Sequence, residues 1–586
     1  MDRVFTNISA GREEKHRLFV DLCAAAVFLA IAIVAAAACW GGRYVYLREG
    51  GDEAGQCAFA AAADNPGSFA GDELLGDPGN RTIYNVLHIH LLRYLRRITA
   101  DYGTAHAMLQ GPVVFLQLLG FYLLGIALFR SRYWALLLTA ACASTYEFGG
   151  EYWGIWFSPL PRSLFQALLP YLLLCAWRWR TKPARWPLLM VMAGFSVFIH
   201  PVSGPPVGFG LWLALWLCMP TSWPLLRRMA YMPALGAAFM IGASFYFVGH
   251  RYCAVPPEEF DSYYALCVAA HNVANMSLRA PFDLFVRLLP LECYFSLVLA
   301  VGSWLLLYRL RRRVPEGCLT VLTWIGGVII FVALSELYMY VLYSRHIIPH
   351  VTWFWRSLRF VFPWLYLFTL WPLAELSSVF AGGGFRNHLR RGLICAIGAL
   401  FVTAWLFSFP PEINTRWSPS RYSEELYRVQ WHGRCPERVL WDTVRDTFEN
   451  RVPLGSTVMV TDPTMAWICR FHLLKPVIYS ATDGGFLVPV NRDAARAWYG
   501  KREEFQSITR IAKPREKLRR LVAMARRYGA AVILTDTHFI VCPGTPHTLF
   551  PNSLDEAFLE SLGIRQMGAW GGLRLYGVDR TGRGRG

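Results

Sequence analysis

Up to about residue 409 the chain alternates long apolar runs with short polar connectors, and beyond it the pattern changes to short strand-like and helix-like segments. The apolar runs lie at residues 19–40, 112–129, 134–148, 164–177, 186–199, 207–219, 232–248, 293–308, 319–343, 360–376 and 392–409. A helix rises 1.5 Å per residue, so about 20 apolar residues cross a hydrocarbon core of roughly 30 Å. The first run is too long for the core of a cleaved signal peptide and follows Arg3, Arg12, Lys15 and Arg17, which predicts an uncleaved first span with a cytoplasmic N-terminus. Several later runs are shorter than a full span and are expected to extend into flanking polar sequence, with room for one re-entrant segment. The pattern predicts a polytopic α-helical membrane protein of about 11 transmembrane helices over 1–409. A long first outer loop occupies 41–110, and a soluble α/β domain 410–586.

Charge tests the orientation independently. With the first span running outward, the inner connectors hold Arg130 and Arg132; Arg178, Arg180, Lys182 and Arg185; Arg227 and Arg228; Arg309, Arg311, Arg312 and Arg313; and Arg386, Arg390 and Arg391. Each is basic, as short cytoplasmic loops are. An odd number of spans then places everything after Phe409 outside. The long loops at 41–110 and 250–291 fall on that same side. Within the first, "TIYNVLHIHLLRYLRRITADYG" repeats apolar residues at helical spacing beside Arg93, Arg96 and Arg97, which predicts an amphipathic helix lying in the membrane interface.

Composition narrows the function classes. The 586 residues are 55% hydrophobic and 17% charged, below the roughly 25% charged of a soluble domain. The net charge of +18 would suggest nucleic acid in a soluble protein, but here much of it sits in the connectors, and the tail with Arg580, Arg583 and Arg585 is too sparse to bind RNA. We expect no nucleic-acid partner. The 14 cysteines form no C-x-x-C pair and no zinc spacing. Cys57, Cys253, Cys267, Cys435, Cys469 and Cys542 face the outer compartment on this topology, where one or two disulfides are an option.

From Pro410 onward, "STVMVTD", "PVIYSATDGG", "AAVILTD" and "GGLRLYGVD" read as strands, with "PREKLRRLVAMARRYGA" as a helix with a glycine stop. The alternation suggests a small layered domain with a partly parallel sheet. The "TDGG" turn at Asp483 lacks the spacing of a phosphate-binding loop and reads as a strand-ending turn.

Candidate chemistry concentrates outside the membrane. The first loop opens on Asp52 and Glu53 before a small-residue helix, and a second acidic cluster follows at Asp72, Glu73 and Asp77. Asp52 also suits a helix N-cap, and the others suit solvated loop carboxylates. Before the tenth span, "YSRHIIPHVTWFWRSLRF" carries Arg345, His346, His350, Arg356 and Arg359, and the last two are three apart. Arg162 opens the fourth span and His200 closes the fifth, where a histidine before proline also serves to cap freed backbone. Snorkelling among interfacial aromatics is the alternative for the arginines. Glu147, Glu151 and Glu336 lie near outer span ends, and an ionisable residue at membrane depth is a functional candidate by default. The triplets at Asn80 and Asn275 fit N-glycosylation acceptors in a eukaryotic host.

An Asp-Glu pair just beyond the first span, leading into a helix and then an acidic segment, resembles the GT-C superfamily of membrane glycosyltransferases. These include the protein mannosyltransferases and the bacterial aminoarabinose and mannosyl transferases. The long first outer loop, about eleven spans, an outer C-terminal α/β domain, "PLPRSLFQALLPYLLL" and "GFSVFIHPVSGPP" are similar to that plan. The resemblance implies transfer of a sugar from a polyprenyl-phosphate donor to a glycan, lipid or protein acceptor on the outer face, with inversion. By carry-over Asp52 is the general base, Glu53 orients it or a divalent cation, and Asp72 is the fallback base. The leaving lipid phosphate then needs cations near the outer surface, for which Arg356, Arg359, Arg162 and His200 are the candidates. No metal ligand set is readable. The setting expected is a bacterial inner membrane. The rivals are a transporter, a non-catalytic scaffold, and a polysaccharide polymerase or ligase. A transporter would show related halves and charge at mid-span, neither of which is visible.

Overall fold

The computed structural model describes residues 2–39, 51–144, 146–148, 151–154, 158–251, 253, 255–271, 291–311, 317–345, 354–381, 384–407, 436–453, 455–536, 556–570 and 572–579. Most of the described residues of each of the eleven apolar runs are helical, from Asp2–Cys39 to Phe385–Phe407. Among the described residues, seven segments are long and apolar enough to cross a membrane by themselves: Glu14–Ala37, Tyr102–Phe129, Leu225–Phe247, Cys293–Arg311, Leu319–Leu342, Phe354–Val379 and Phe385–Leu406. The protein is a helical membrane protein. The third run ends earlier than its hydropathy suggests. Its helix, Arg132–Ala143, is only 12 residues long, and a short antiparallel hairpin (Tyr146–Phe148 with Glu151–Trp153) follows.

Helices in lipid gain nothing from expelling water between them, so close backbone approach has to hold them. The Trp186–Ile199 and Leu225–Phe247 helices cross at Gly194 and Gly242. A Cβ on Gly194 would meet the Phe239 carbonyl at 1.9 Å, and one on Gly242 the Val191 carbonyl at 2.1 Å. Neither position admits a side chain at this helix spacing.

The C-terminal unit carries a four-stranded mixed sheet. Val458–Val460 runs parallel to Val532–Asp536, which pairs antiparallel with Leu573–Val578, and that strand in turn with Ile564–Trp570. Three expected strands and the Pro514–Arg527 helix are present. The "PVIYS" segment is a correction. It makes a single parallel bridge, Val477 to Val458, and its Val477 N–H donates to Asp72 of the first loop. Ile564–Trp570 is a strand that the sequence pattern did not mark, because only Ile564 is buried and the rest of it carries no apolar alternation.

The first loop and the C-terminal unit share one apolar core. Ala54, Ala58, Phe59, Leu74, Leu75 and Leu92 belong to the same buried cluster as Trp467, Ile478, Trp498 and Ile533. Phe59 stacks on Tyr84 (centroids 5.0 Å apart) and meets Phe486 edge-on at 5.3 Å. Polar contacts close the junction. Arg470 is fully buried and binds two carboxylates at once: Asp72 through Nε at 2.8 Å and Nη2 at 3.0 Å, and Asp483 through Nη1 and Nη2, both at 2.7 Å. Asp72 accepts further from the backbone N–H of Leu74, Leu75 and Val477. Lys501 binds Glu73 at 2.6 Å, and Arg438 pairs with Asp101. Asn80, expected to be an exposed acceptor triplet, is buried, with its amide donating to the Glu73 carbonyl and its oxygen accepting from Asn491 at 2.9 Å. The second long loop docks on the same unit, where the Tyr263 hydroxyl donates to the Val488 carbonyl at 2.7 Å.

The expected amphipathic helix is shorter than the sequence pattern suggests. "TIYNVLHIHLLRYLRR" breaks into a 3-10 turn at Pro78–Tyr84 and an α-helix at Leu87–Arg96. That helix turns His88, Ile89 and Leu92 into protein, and only the far side stays open. Cys57, Cys267 and Cys469 are free thiols. Cys435, Cys542, His346, His350, Asn275 and the terminal arginines lie outside the described residues.

Removing Arg470 would leave Asp72 and Asp483 buried without a counter-charge, a change that typically costs about 3–5 kcal/mol. Arg470→Met is expected to lower the melting temperature of the full chain in detergent and to speed proteolysis between the membrane helices and the C-terminal unit. A melting curve and cleavage rate equal to wild type would show that the buried pair does not secure the junction.

Candidate functional site

Asp52 and Glu53 stand in the first turn of the helix Gly51–Asp64. The sequence GDEAGQCAFAAAAD favours this helix through its alanines, and carboxylates in the first turn complement the positive end of the helix dipole. The helix is enclosed on most sides, with Ala54 and Cys57 to Ala62 at 3% exposure or less. At its open N-terminal end the two acids part company. The Asp52 side chain is 58% exposed, whereas Glu53 is 7% exposed.

Arg162, at the start of the Pro161–Trp179 helix, lies 3.4 Å from Asp52 and is itself nearly buried. Just before it, a tight turn at Ser158 carries the chain into the helix, with Ser163 donating to the Ser158 carbonyl at 2.6 Å. Glu53 hydrogen-bonds to the Ser158 side chain. Burial, and then the adjacent Asp52 charge, push its carboxyl up to about 7, against the opposing pull of Arg162 and Ser158. At neutral pH Glu53 is therefore poised between its two forms. Ser158 Oγ continues the chain to His106 Nε2 at 2.9 Å, and the His106 ring meets His88 edge-on at 5.4 Å. Both histidines are fully buried. Burial holds His88 down to about 4, so that imidazole is neutral.

Above Asp52, the Tyr84 hydroxyl marks where several charges meet. Burial and the Asp52 carboxylate raise its pKa, while the Arg356 and Arg162 guanidinium groups act on it in the opposite sense. Arg356 and Arg359 sit on a 3-10 helix, Phe354–Phe360, rather than an α-helix. With three residues per turn, positions three apart eclipse, so both side chains rise from one face. They are not equivalent. Arg359 is completely buried and donates to Ser203 Oγ at 2.6 Å, and the same hydroxyl contacts His200 Nδ1 at 2.8 Å. Arg356 is only partly buried. Phe165, one turn after Arg162, packs against both His200 and Phe360, at 6.3 Å and 5.5 Å between centroids.

Six of the seven sequence candidates thus gather in one corner. Asp52, Glu53 and Arg162 form a contact group, Arg356 shares its field, and His200 and Arg359 brace the Arg356 turn from behind. Asp72 is the exception. Both its oxygens are consumed by Arg470 and backbone N–H groups at the C-terminal junction, so it is a buried structural ion and no base. Tyr84, Ser158, His106, His88 and Ser203 belong to the site and carry no sequence signal that separates them from ordinary loop and span-end residues. Glu147 and Glu151 fall on the hairpin beside the site, but their side chains lie outside the description. Among the described residues no group of three or more His, Cys, Asp and Glu is gathered to hold a metal. No protein-family model matches the chain, and no curated protein matches it.

The Glu53 shift has a sign that stability can read. Its carboxyl binds a proton more tightly in the folded chain than in the unfolded one, so its contribution is greatest below pH 4.5 and fades as the pH rises towards about 7. Glu53→Gln removes that loss. The variant is expected to gain on wild type by an amount that grows from pH 4.5 to 7 and levels off above it, on the order of 2–3 kcal/mol. Chemical denaturation across that range measures it, and a stability difference that does not change with pH would contradict the assignment.

Proposed function

We propose that this chain is a glycosyltransferase that moves a sugar from a polyprenyl-phosphate donor to an acceptor hydroxyl at the membrane surface. The observation that carries this reading is the exposed Asp52 carboxylate 3.4 Å from a nearly buried Arg162, with Tyr84 within the electrostatic reach of Asp52, Arg162 and Arg356. A base open to an acceptor stands beside cations suited to a leaving phosphate, as the transfer requires. The resemblance to GT-C enzymes at "GDE", "PLPRSLF" and "FIHPVSG" supports the same reading.

In the proposed reaction Asp52 takes the proton of the acceptor hydroxyl as its oxygen attacks the anomeric carbon. The bond from that carbon to the phosphate oxygen breaks with inversion, and its electron pair leaves on the lipid phosphate. Arg356 and Arg162 neutralise the charge that develops there. Arg359 acts through its hold on Ser203 and His200, fixing the turn that presents Arg356. Glu53 accepts from Ser158 and keeps a second exchangeable proton next to Asp52. With the first span running outward and about eleven crossings, the site and the C-terminal unit both lie on the extracytoplasmic face, in a bacterial inner membrane. The acceptor is a glycan, a lipid or a protein.

Removing the base is expected to cost about 10²–10⁴-fold in transfer rate. Asp52→Asn should lose transfer from a polyprenyl-phosphate sugar while keeping wild-type expression and melting behaviour. Arg356→Ala should weaken donor binding about tenfold or more, as loss of a charge-assisted contact does. Full transfer by Asp52→Asn would rule out the base.

A further inference from the structure

The Gly51–Asp64 helix has a second polar end. About 18 Å from Asp52 by helix rise, a cavity of about 720 Å³ opens between the Leu87–Arg96 helix, the turn that follows it and the C-terminal unit. That volume lies within the range of small-molecule sites, roughly 300–1,000 Å³. Its floor is protein core, with Tyr102, Phe471 and His472 all buried.

The charge lining this cavity is uneven in a telling way. Four arginines, Arg93, Arg96, Arg97 and Arg445, face three carboxylates, Asp64, Asp101 and Glu449. Every one of these carboxylates has an arginine partner: Arg93 at 2.6 Å from Asp64, Arg438 against Asp101, and Arg445 at 3.8 Å from Glu449. The reverse does not hold. Arg96 donates to the Thr99 carbonyl at 2.8 Å and lies over the Tyr102 ring, with no carboxylate ion-paired to it among the described residues. Arg97 is exposed, and its side chain makes no ion pair or hydrogen bond among the described residues. The protein thus neutralises its own acids here and leaves two guanidinium groups to meet something else.

The rim indicates what kind of molecule would carry the anion. His90, Tyr94 and Arg97 are spaced i, i+4 and i+7 and so share one helix face. Tyr94 and Ile98 beside them are 65% and 71% exposed. An aromatic ring and an isoleucine next to uncompensated guanidinium groups suit an amphiphile at a membrane boundary, with its charged group inward. Guanidinium groups favour phosphate through paired, charge-assisted hydrogen bonds.

We propose that this cavity is a second binding site, taking a phosphate-type anion carried on a lipid or a sugar and held by Arg96 and Arg97. It is separate from the Asp52 cluster and does not depend on the sugar-transfer reading.

The test titrates the full chain in detergent with dihexanoyl phosphatidic acid, glucose 1-phosphate and the zwitterionic dihexanoyl phosphatidylcholine. Wild type is expected to bind at least one of the two anionic probes more tightly than the phosphatidylcholine. Arg97→Glu and Arg96→Gln should each weaken that binding about tenfold or more, and Arg356→Ala should weaken it far less. The Arg97 side chain makes no polar contact among the described residues, so its variant is expected to melt as wild type does. Binding of phosphatidic acid alone assigns a lipid head group, binding of glucose 1-phosphate alone a soluble sugar phosphate, and binding of both the phosphate group itself. Failure of both anionic probes to outbind phosphatidylcholine, or equal affinity in both arginine variants, would overturn the proposal. So would a loss in Arg356→Ala as large as in Arg97→Glu, because the anion would then sit at the other end of the helix. Full transfer by Asp52→Asn, by contrast, bears only on the base and leaves this site standing.

Discussion

Arg470 and its two carboxylates tie together parts of the chain that are 398 residues apart in sequence. A buried guanidinium is costly to desolvate, and only partners that satisfy most of its N–H groups recover that cost. Asp72 and Asp483 do so with four contacts of 3.0 Å or less, and the Trp467 ring lies 4.8 Å from the guanidinium carbon. The geometry tolerates little slippage, because Asp72 is also held by three backbone N–H groups. The first loop is therefore fixed against the C-terminal unit instead of draping over the membrane. Through Trp467 and Phe59 that constraint passes to the Gly51–Asp64 helix and sets where Asp52 points.

The two ends of that helix then face different tasks. At the N-terminal end, neighbouring carboxylates are separated by environment: one is open to solvent beside a guanidinium, and the other is sealed against Ser158 and pushed towards neutrality. Pairs of acids held in such unlike surroundings are how proteins keep one group ionised and another protonated at the same pH. At the C-terminal end, Asp64 is spent on Arg93 and Tyr102, and the basic side chains of the next helix line a cavity. The cavity at that end takes one wall from the C-terminal unit, through Arg445, Glu449 and Phe471.

Much of the corner around Asp52 was legible from residue type and order. Asp52, Glu53, Arg162, His200, Arg356 and Arg359 sit at ends of apolar runs on one predicted side, and the folded chain draws them together. Their separate roles were not legible. Arg356 and Arg359 look alike in sequence, yet a hydroxyl at Ser203 turns Arg359 inward and leaves Arg356 nearer the surface. Asp72 resembled a second catalytic acid because its partner lies hundreds of residues away. Ser158, His106 and His88 carried no signal, since single polar residues near span ends are common and only their 2.9 Å contact and shared burial distinguish them.

The sequence by itself determined the helical membrane character, the helix content of each apolar run, and most of the strands after residue 455. Those follow from local periodicity and from the length of chain needed to cross hydrocarbon, and no distant contact alters them. Tertiary structure alone decided that the first loop shares a core with the C-terminal unit, that its amphipathic helix faces protein, that Asn80 is enclosed, and which carboxylates are spent in ion pairs. Each of these depends on partners far apart in the chain. A charged or amphipathic residue reads the same whether water, lipid or a buried counter-ion waits for it, and only the packed fold says which.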